Sequence, residues 1–154
     1  MTLQAQILSE VQALVRERGT ALIWISHDLS VVAGLADRIA VMYAGRIVEH
    51  GTVDQVLDHP QHPYTQGLIG SLPSANRRGT RLRQISGMAP RLLDMPAGCA
   101  FAPRCPRASA TCLTARPESS HPRPDAPDHE VRCHHPGAPT PTQPEAHTAS
   151  EARA

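Results

Sequence analysis

Residues 19–29 read GTALIWISHDL, and the fold expected of the chain turns on them. A glycine closes what precedes, an apolar run from Ala21 to Ile25 follows, and Ser26, His27 and Asp28 end it. A short apolar run bounded in this way has the pattern of a strand buried on both faces, as in parallel sheets. Ligands of open α/β sheets bind beyond the carboxyl ends of the strands. The expectation is an α/β fold with residues 20–26 as a buried strand and His27 at its functional edge.

Upstream, Leu3, Ile7, Leu8, Val11, Leu14 and Val15 recur at helical spacing among polar residues. They predict an amphipathic helix with one core face, closed by Arg16, Arg18 and Gly19. Downstream, residues 29–36 read as a short apolar helix capped by Asp28 or Ser30. Ile39, Val41 and Tyr43 alternate into Ala44-Gly45-Arg46, and Ile47 and Val48 follow, which predicts a β-hairpin over 38–50. Thr52 with Gln55 forms a capping box for a helix over 53–58 that Pro60 stops. His62-Pro63-Tyr64-Thr65 opens another short helix ending near Ser71. Trp24 is expected in the core, Tyr64 against it, Asp37 and Arg38 as a turn with an ion pair, and Arg46 in solvent.

Composition limits how much of the chain can build a core. Of 154 residues, 40% are hydrophobic, only 3% are aromatic and 15 are proline. The periodic apolar signal lies before Leu72 and most prolines after it, so only the first half is expected to bury a sizeable core. We therefore divide the chain into an α/β part (1–72), a linker (73–95), a Cys/Pro-rich irregular extension (96–135) and a disordered tail (136–154). The net charge of +1 points to neither nucleic acid nor a membrane surface. The arginines of residues 76–83 read as a solvated loop, since no aromatic interleaves them. Neither a spanning segment nor a signal peptide is recognisable, so the chain reads as cytoplasmic.

Cys99, Cys105, Cys112 and Cys133 are the four cysteines. In a cytosolic chain they point to metal or redox chemistry rather than disulfides. Their spacing fits neither a zinc ribbon nor a ferredoxin run. A metal or cluster staple, partly free buried thiols, and disulfides remain as readings, with His134 and His135 as alternative ligands or exposed tail residues. A metal would explain how so apolar-poor a segment folds.

The run HDLSVVAGLADRIAVMYAGRIVEHG resembles the ATP-binding subunits of ATP-binding-cassette transporters, in the oligopeptide/dipeptide importer branch. TLQAQIL, His62-Pro63-Tyr64-Thr65 with Leu68, and the cysteine segment through Val131-Arg132-Cys133-His134 are similar to the same branch. The resemblance covers about residues 2–135. It implies part of a P-loop NTPase sheet with flanking helices. It implies that His27 is the switch histidine, catalytic and nucleotide-binding, which touches the γ-phosphate of ATP, with Mg²⁺ in the site. It also implies a [4Fe–4S] cluster held by Cys99, Cys105, Cys112 and Cys133. The implied partners are membrane permease subunits, a second ATP-binding subunit and, indirectly, a peptide-binding protein, at the inner face of the cell membrane; nickel import is a variant of the theme.

The chain holds no GxxxxGK[ST] loop, nor the family's signature motif or magnesium-aspartate strand. Met1 is accordingly expected to mark an internal or misassigned start, or a truncated gene, and the polypeptide alone is expected not to turn over ATP. The alternative function is a non-hydrolytic metal-binding or interaction module.

Overall fold

The computed structural model describes residues 3–76, 79 and 82–137. The elements run α1 (Leu3–Arg18), α2 (Leu29–Leu35), β1 (Arg38–Tyr43), β2 (Arg46–Thr52), α3 (Val53–Asp58), α4 (Pro63–Gly70), α5 (Ala110–Thr114) and β3 (Glu130–Val131). Three strands form one antiparallel sheet in the order β1-β2-β3. No helix among the described residues is long and apolar enough to cross a membrane. Most of the tail expected to be disordered lies outside the described residues, as do Met1 and three of the linker arginines.

The hairpin forms where the alternation predicts it. Ala44 and Gly45 both take positive φ, 48° and 77°. Two such residues in succession make the tight turn whose twist matches that of paired strands. Ile39, Val41 and Tyr43 then face inward together. They pack with Val48 of β2, Val56 of α3 and Phe101, which lies far along the chain. Tyr64 joins this core, its ring centroid 4.5 Å from that of Tyr43 and 5.5 Å from that of Phe101.

The capping box is present as read. Thr52 Oγ1 accepts from Gln55 N at 3.3 Å, and Gln55 Oε1 accepts from Thr52 N at 2.9 Å. Helix α4 opens with His62 at the cap and Pro63 in its first turn.

The stretch at 20–26 does not form the expected strand. Ile23 is 90% exposed and Ile25 93%, and Trp24 is exposed rather than in the core. A strand exists only as part of a ladder that takes up its N–H and C=O groups. No described strand runs beside these residues, so the apolar run has neither ladder nor cover. The parallel sheet expected around it is likewise not formed among the described residues; the sheet present is antiparallel. Helix α1 ends at Gly19, with φ 61°, as predicted. Its core face is only half-buried at Leu8, Val11 and Val15. Arg38 reaches His50 Nε2 at 3.4 Å and the Asp128 carbonyl at 3.1 Å rather than pairing with Asp37.

One irregularity shapes the sheet. Val41 pairs with Glu49 but Met42 pairs with Ile47, so Val48 is an extra residue on β2. Such a bulge turns two neighbouring side chains to the same side, and Val48 and Glu49 are both buried. Glu49, 1% exposed, thereby points its carboxylate into the protein. It accepts from Gln61 N at 2.7 Å, His62 N at 3.0 Å and His129 Nε2 at 2.8 Å. Three segments, β2, the α3–α4 connection and the loop before β3, meet on one carboxylate.

Glu49→Ala would leave two backbone N–H groups and the buried His129 ring without an acceptor. We predict a loss of about 3 kcal/mol or more in unfolding free energy, read as a lower urea midpoint, with Glu49→Gln losing less because one oxygen remains.

A four-thiol cavity as the candidate functional site

The cysteine-bearing segment has little regular structure, and backbone hydrogen bonds fold it back on itself. Cys99 N donates to Cys112 O at 2.8 Å, and the turns at Ala102 N to Cys99 O and Cys105 N to Ala102 O follow. Gly98 makes the first of these approaches feasible. A Cβ there would lie 2.3 Å from Cys112 O and 2.7 Å from the Leu113 carbonyl carbon. Beyond it, Arg132 N donates to Val48 O at 2.9 Å, which seats the stretch before Cys133 on the hairpin.

This folding brings all four cysteines to one cavity, although up to 34 residues separate them, from Cys99 to Cys133. All four are free thiols, so the disulfide reading is not realised. Backbone N–H groups point at two of the sulfurs: Arg107 N at 3.4 Å from Cys105 Sγ, and His135 N at 3.3 Å from Cys133 Sγ. Ser109 Oγ lies 3.5 Å from Cys112 Sγ. Donors of this kind stabilise thiolates in metal sites. As placed, no three of the His, Cys, Asp or Glu side chains among the described residues stand close enough to hold an ion.

Without such a group the Cys99, Cys105 and Cys133 thiols are protonated. Burial raises the pKa of Cys99 and Cys105 and pushes that of Cys133 up to about 11. The Arg107 charge works against the rise at Cys105 and Cys133. The proximity of the thiols adds to it.

His62, His134 and His135 share the cavity. His134 Nε2 bonds the Ala115 carbonyl at 3.0 Å, and His135 Nε2 lies 2.8 Å from Ser109 Oγ. His62 is different. It is 1% exposed, its Nδ1 accepts from Tyr64 N at 3.0 Å, and its Nε2 has no partner among the described residues. In the sequence His62 stands out only as the residue that opens a helix, and Glu49 not at all. The signal available for His62 was its place at the cap of a helix whose next residue is proline.

His27 lies elsewhere. It is exposed in the bend before α2 and is not among the residues lining the thiol cavity. Beside it, Asp28 N donates to Ser26 Oγ at 3.0 Å.

Burial, helped by the Arg107 charge, lowers the His62 pKa from 6.5 to about 4. Below pH 6.5 the unfolded chain takes up a proton that the folded chain refuses until about pH 4. Stability therefore falls as pH drops through this window, by ~3 kcal/mol in full. Urea unfolding of the metal-free protein from pH 7 to 4 should show this slope, and His62→Asn should flatten it.

Residues 48–112 match the family described as the oligopeptide/dipeptide transporter, C-terminal region. A Brucella ovis protein named as a peptide import ATP-binding protein is 49% identical over 123 residues, 76% of this chain and 36% of that protein. The oligopeptide transport ATP-binding protein OppD of Haemophilus influenzae is 47% identical over 115 residues, 75% of this chain and 36% of its own length. The dipeptide transport ATP-binding protein DppD of the same organism is 42% identical over 136 residues, 88% of this chain and 40% of its own length. The chain thus spans little more than a third of the length of the curated relatives it matches. Over most of its length the chain is similar to the ATP-binding proteins of oligopeptide and dipeptide transporters, and residues 48–112 to that family's C-terminal region.

Proposed function

We propose that this chain supplies the C-terminal part of a nucleotide-binding subunit that powers peptide import. The observation that carries the reading is the continuous likeness to peptide-transport ATP-binding proteins over about three quarters of the chain. In that setting ATP and Mg²⁺ would lie between two such subunits at the inner face of the membrane, and closure of the pair would drive two permease subunits. His27 would donate to a γ-phosphate oxygen and help orient the attacking water. Its exposed position before α2 leaves the imidazole free to meet a phosphate presented by other parts of a complete site.

A chimera tests this. Residues 3–137 would replace the corresponding C-terminal stretch of the E. coli OppD protein, 46% identical over 117 residues. We expect peptide uptake from the chimera and none after His27→Ala. A stably expressed chimera without uptake, or one indifferent to His27→Ala, would overturn the reading.

Cys99, Cys105, Cys112 and Cys133 are the ligands we propose for an iron–sulfur cluster. The support is their convergence on one cavity with N–H donors at two of the sulfurs. When bound, such a group would cross-link the irregular loops and supply one-electron redox chemistry. The same convergence favours, for this segment, the second reading of a metal-binding module. Anaerobic reconstitution with ferrous iron and sulfide should yield iron-loaded protein with visible thiolate-to-iron absorbance, and serine at any one of the four positions should weaken it. Iron-free protein with four titratable thiols would defeat the assignment.

A further inference from the structure

Three buried polar side-chain atoms have no hydrogen-bond partner among the described residues: His62 Nε2, Thr65 Oγ1 and His129 Nδ1. Of these residues only His62 lines the cavity on which the four cysteines converge. The position of its proton follows from geometry. Tyr64 N donates to Nδ1 at 3.0 Å, so Nδ1 presents a lone pair and the neutral ring carries its hydrogen on Nε2. A buried N–H without an acceptor keeps the cost of its lost hydration, so an acceptor that arrives with a ligand would recover that loss.

The ring is also held rigidly. It caps α4 through Nδ1, its backbone N–H is bound by Glu49 at 3.0 Å, and Phe101 packs 5.8 Å away, centroid to centroid. A donor fixed from both sides is organised before any ligand enters. The same cavity is lined by Cys99, Cys105, Cys112 and Cys133, which as thiolates are the anionic acceptors its wall offers, and by the Arg107 cation, which favours negative charge there.

We propose that His62 Nε2–H is a built-in hydrogen-bond donor to a sulfur of the iron–sulfur group held by the four cysteines. It is a positioning and tuning residue, not a ligand. This rests on the four-cysteine assignment above. A donor to such a sulfur favours the more negative, reduced form and so raises the reduction potential. The same bond slows loss of iron. Glu49 thereby acts on the group at one remove, because its carboxylate sets the backbone position of His62.

Two substitutions separate the roles of the ring. His62→Asn keeps an acceptor near the Nδ1 position and hence the cap, but has no group that reaches the Nε2 position. His62→Gln places an N–H near the Nε2 position. The full 154-residue chain and both variants would be reconstituted anaerobically with ferrous iron and sulfide. Midpoint potentials would be followed by absorbance in a dithionite titration, and iron loss to a chelator would be timed. We expect the Asn variant to shift to a more negative potential and lose iron about tenfold faster, and the Gln variant to recover both.

An iron-loaded Asn variant with wild-type potential and loss rate would overturn the inference and leave the four-cysteine assignment standing. A wild-type chain that takes up no iron would overturn both.

Discussion

The Glu49 carboxylate and its three donors tie β2 to the α3–α4 connection and to the loop before β3. Gln61 N, His62 N and His129 Nε2 all converge on it from segments distant in sequence. A buried carboxylate is costly unless its lone pairs are filled, and here they are filled by groups that would themselves be orphaned without it. Each side therefore enforces the other. The bulge at Val48 is the backbone feature that makes this geometry attainable, since a regular strand would send Glu49 to the opposite face from Val48.

From that point the path to the candidate site is short. His62 receives its backbone bond from Glu49, opens α4 through Nδ1 and lines the thiol cavity with the rest of its ring. Phe101, two residues from Cys99, lies in the same core as Tyr43 and Tyr64. The cysteine-bearing loops are thus placed by the hairpin core on one side and by the Cys99–Cys112 backbone contact on the other. An irregular segment poor in apolar residues gains its order by borrowing a core made elsewhere.

Legibility in the sequence followed the range of the interactions concerned. The hairpin, its turn at Ala44-Gly45, the Thr52–Gln55 capping box and the end of α1 at Gly19 were all readable, because local sterics and neighbouring side chains decide them. The stretch at 20–26 has the composition of a strand and forms none, for the complementary reason. Its apolar composition describes a residue set fit for burial, whereas strand formation needs partners that composition does not contain. The four cysteines were legible as a set from their residue type, and the resemblance named them together. That they share one cavity, that His62 joins them and that Glu49 positions His62 were not readable.

The sequence by itself therefore determined the short-range elements, the family likeness and the identity of the sulfur donors. These depend on backbone preferences, on the spacing of a few residues and on chemical type. Only the tertiary structure decided which polar atoms meet. Glu49 and His129 lie 80 positions apart, and Cys99 and Cys133 are 34 apart. Such encounters depend on a one-residue bulge and a single close backbone approach at Gly98. A shift of one residue in register reverses which side of a strand a side chain occupies, so no pattern read along the chain fixes them in advance.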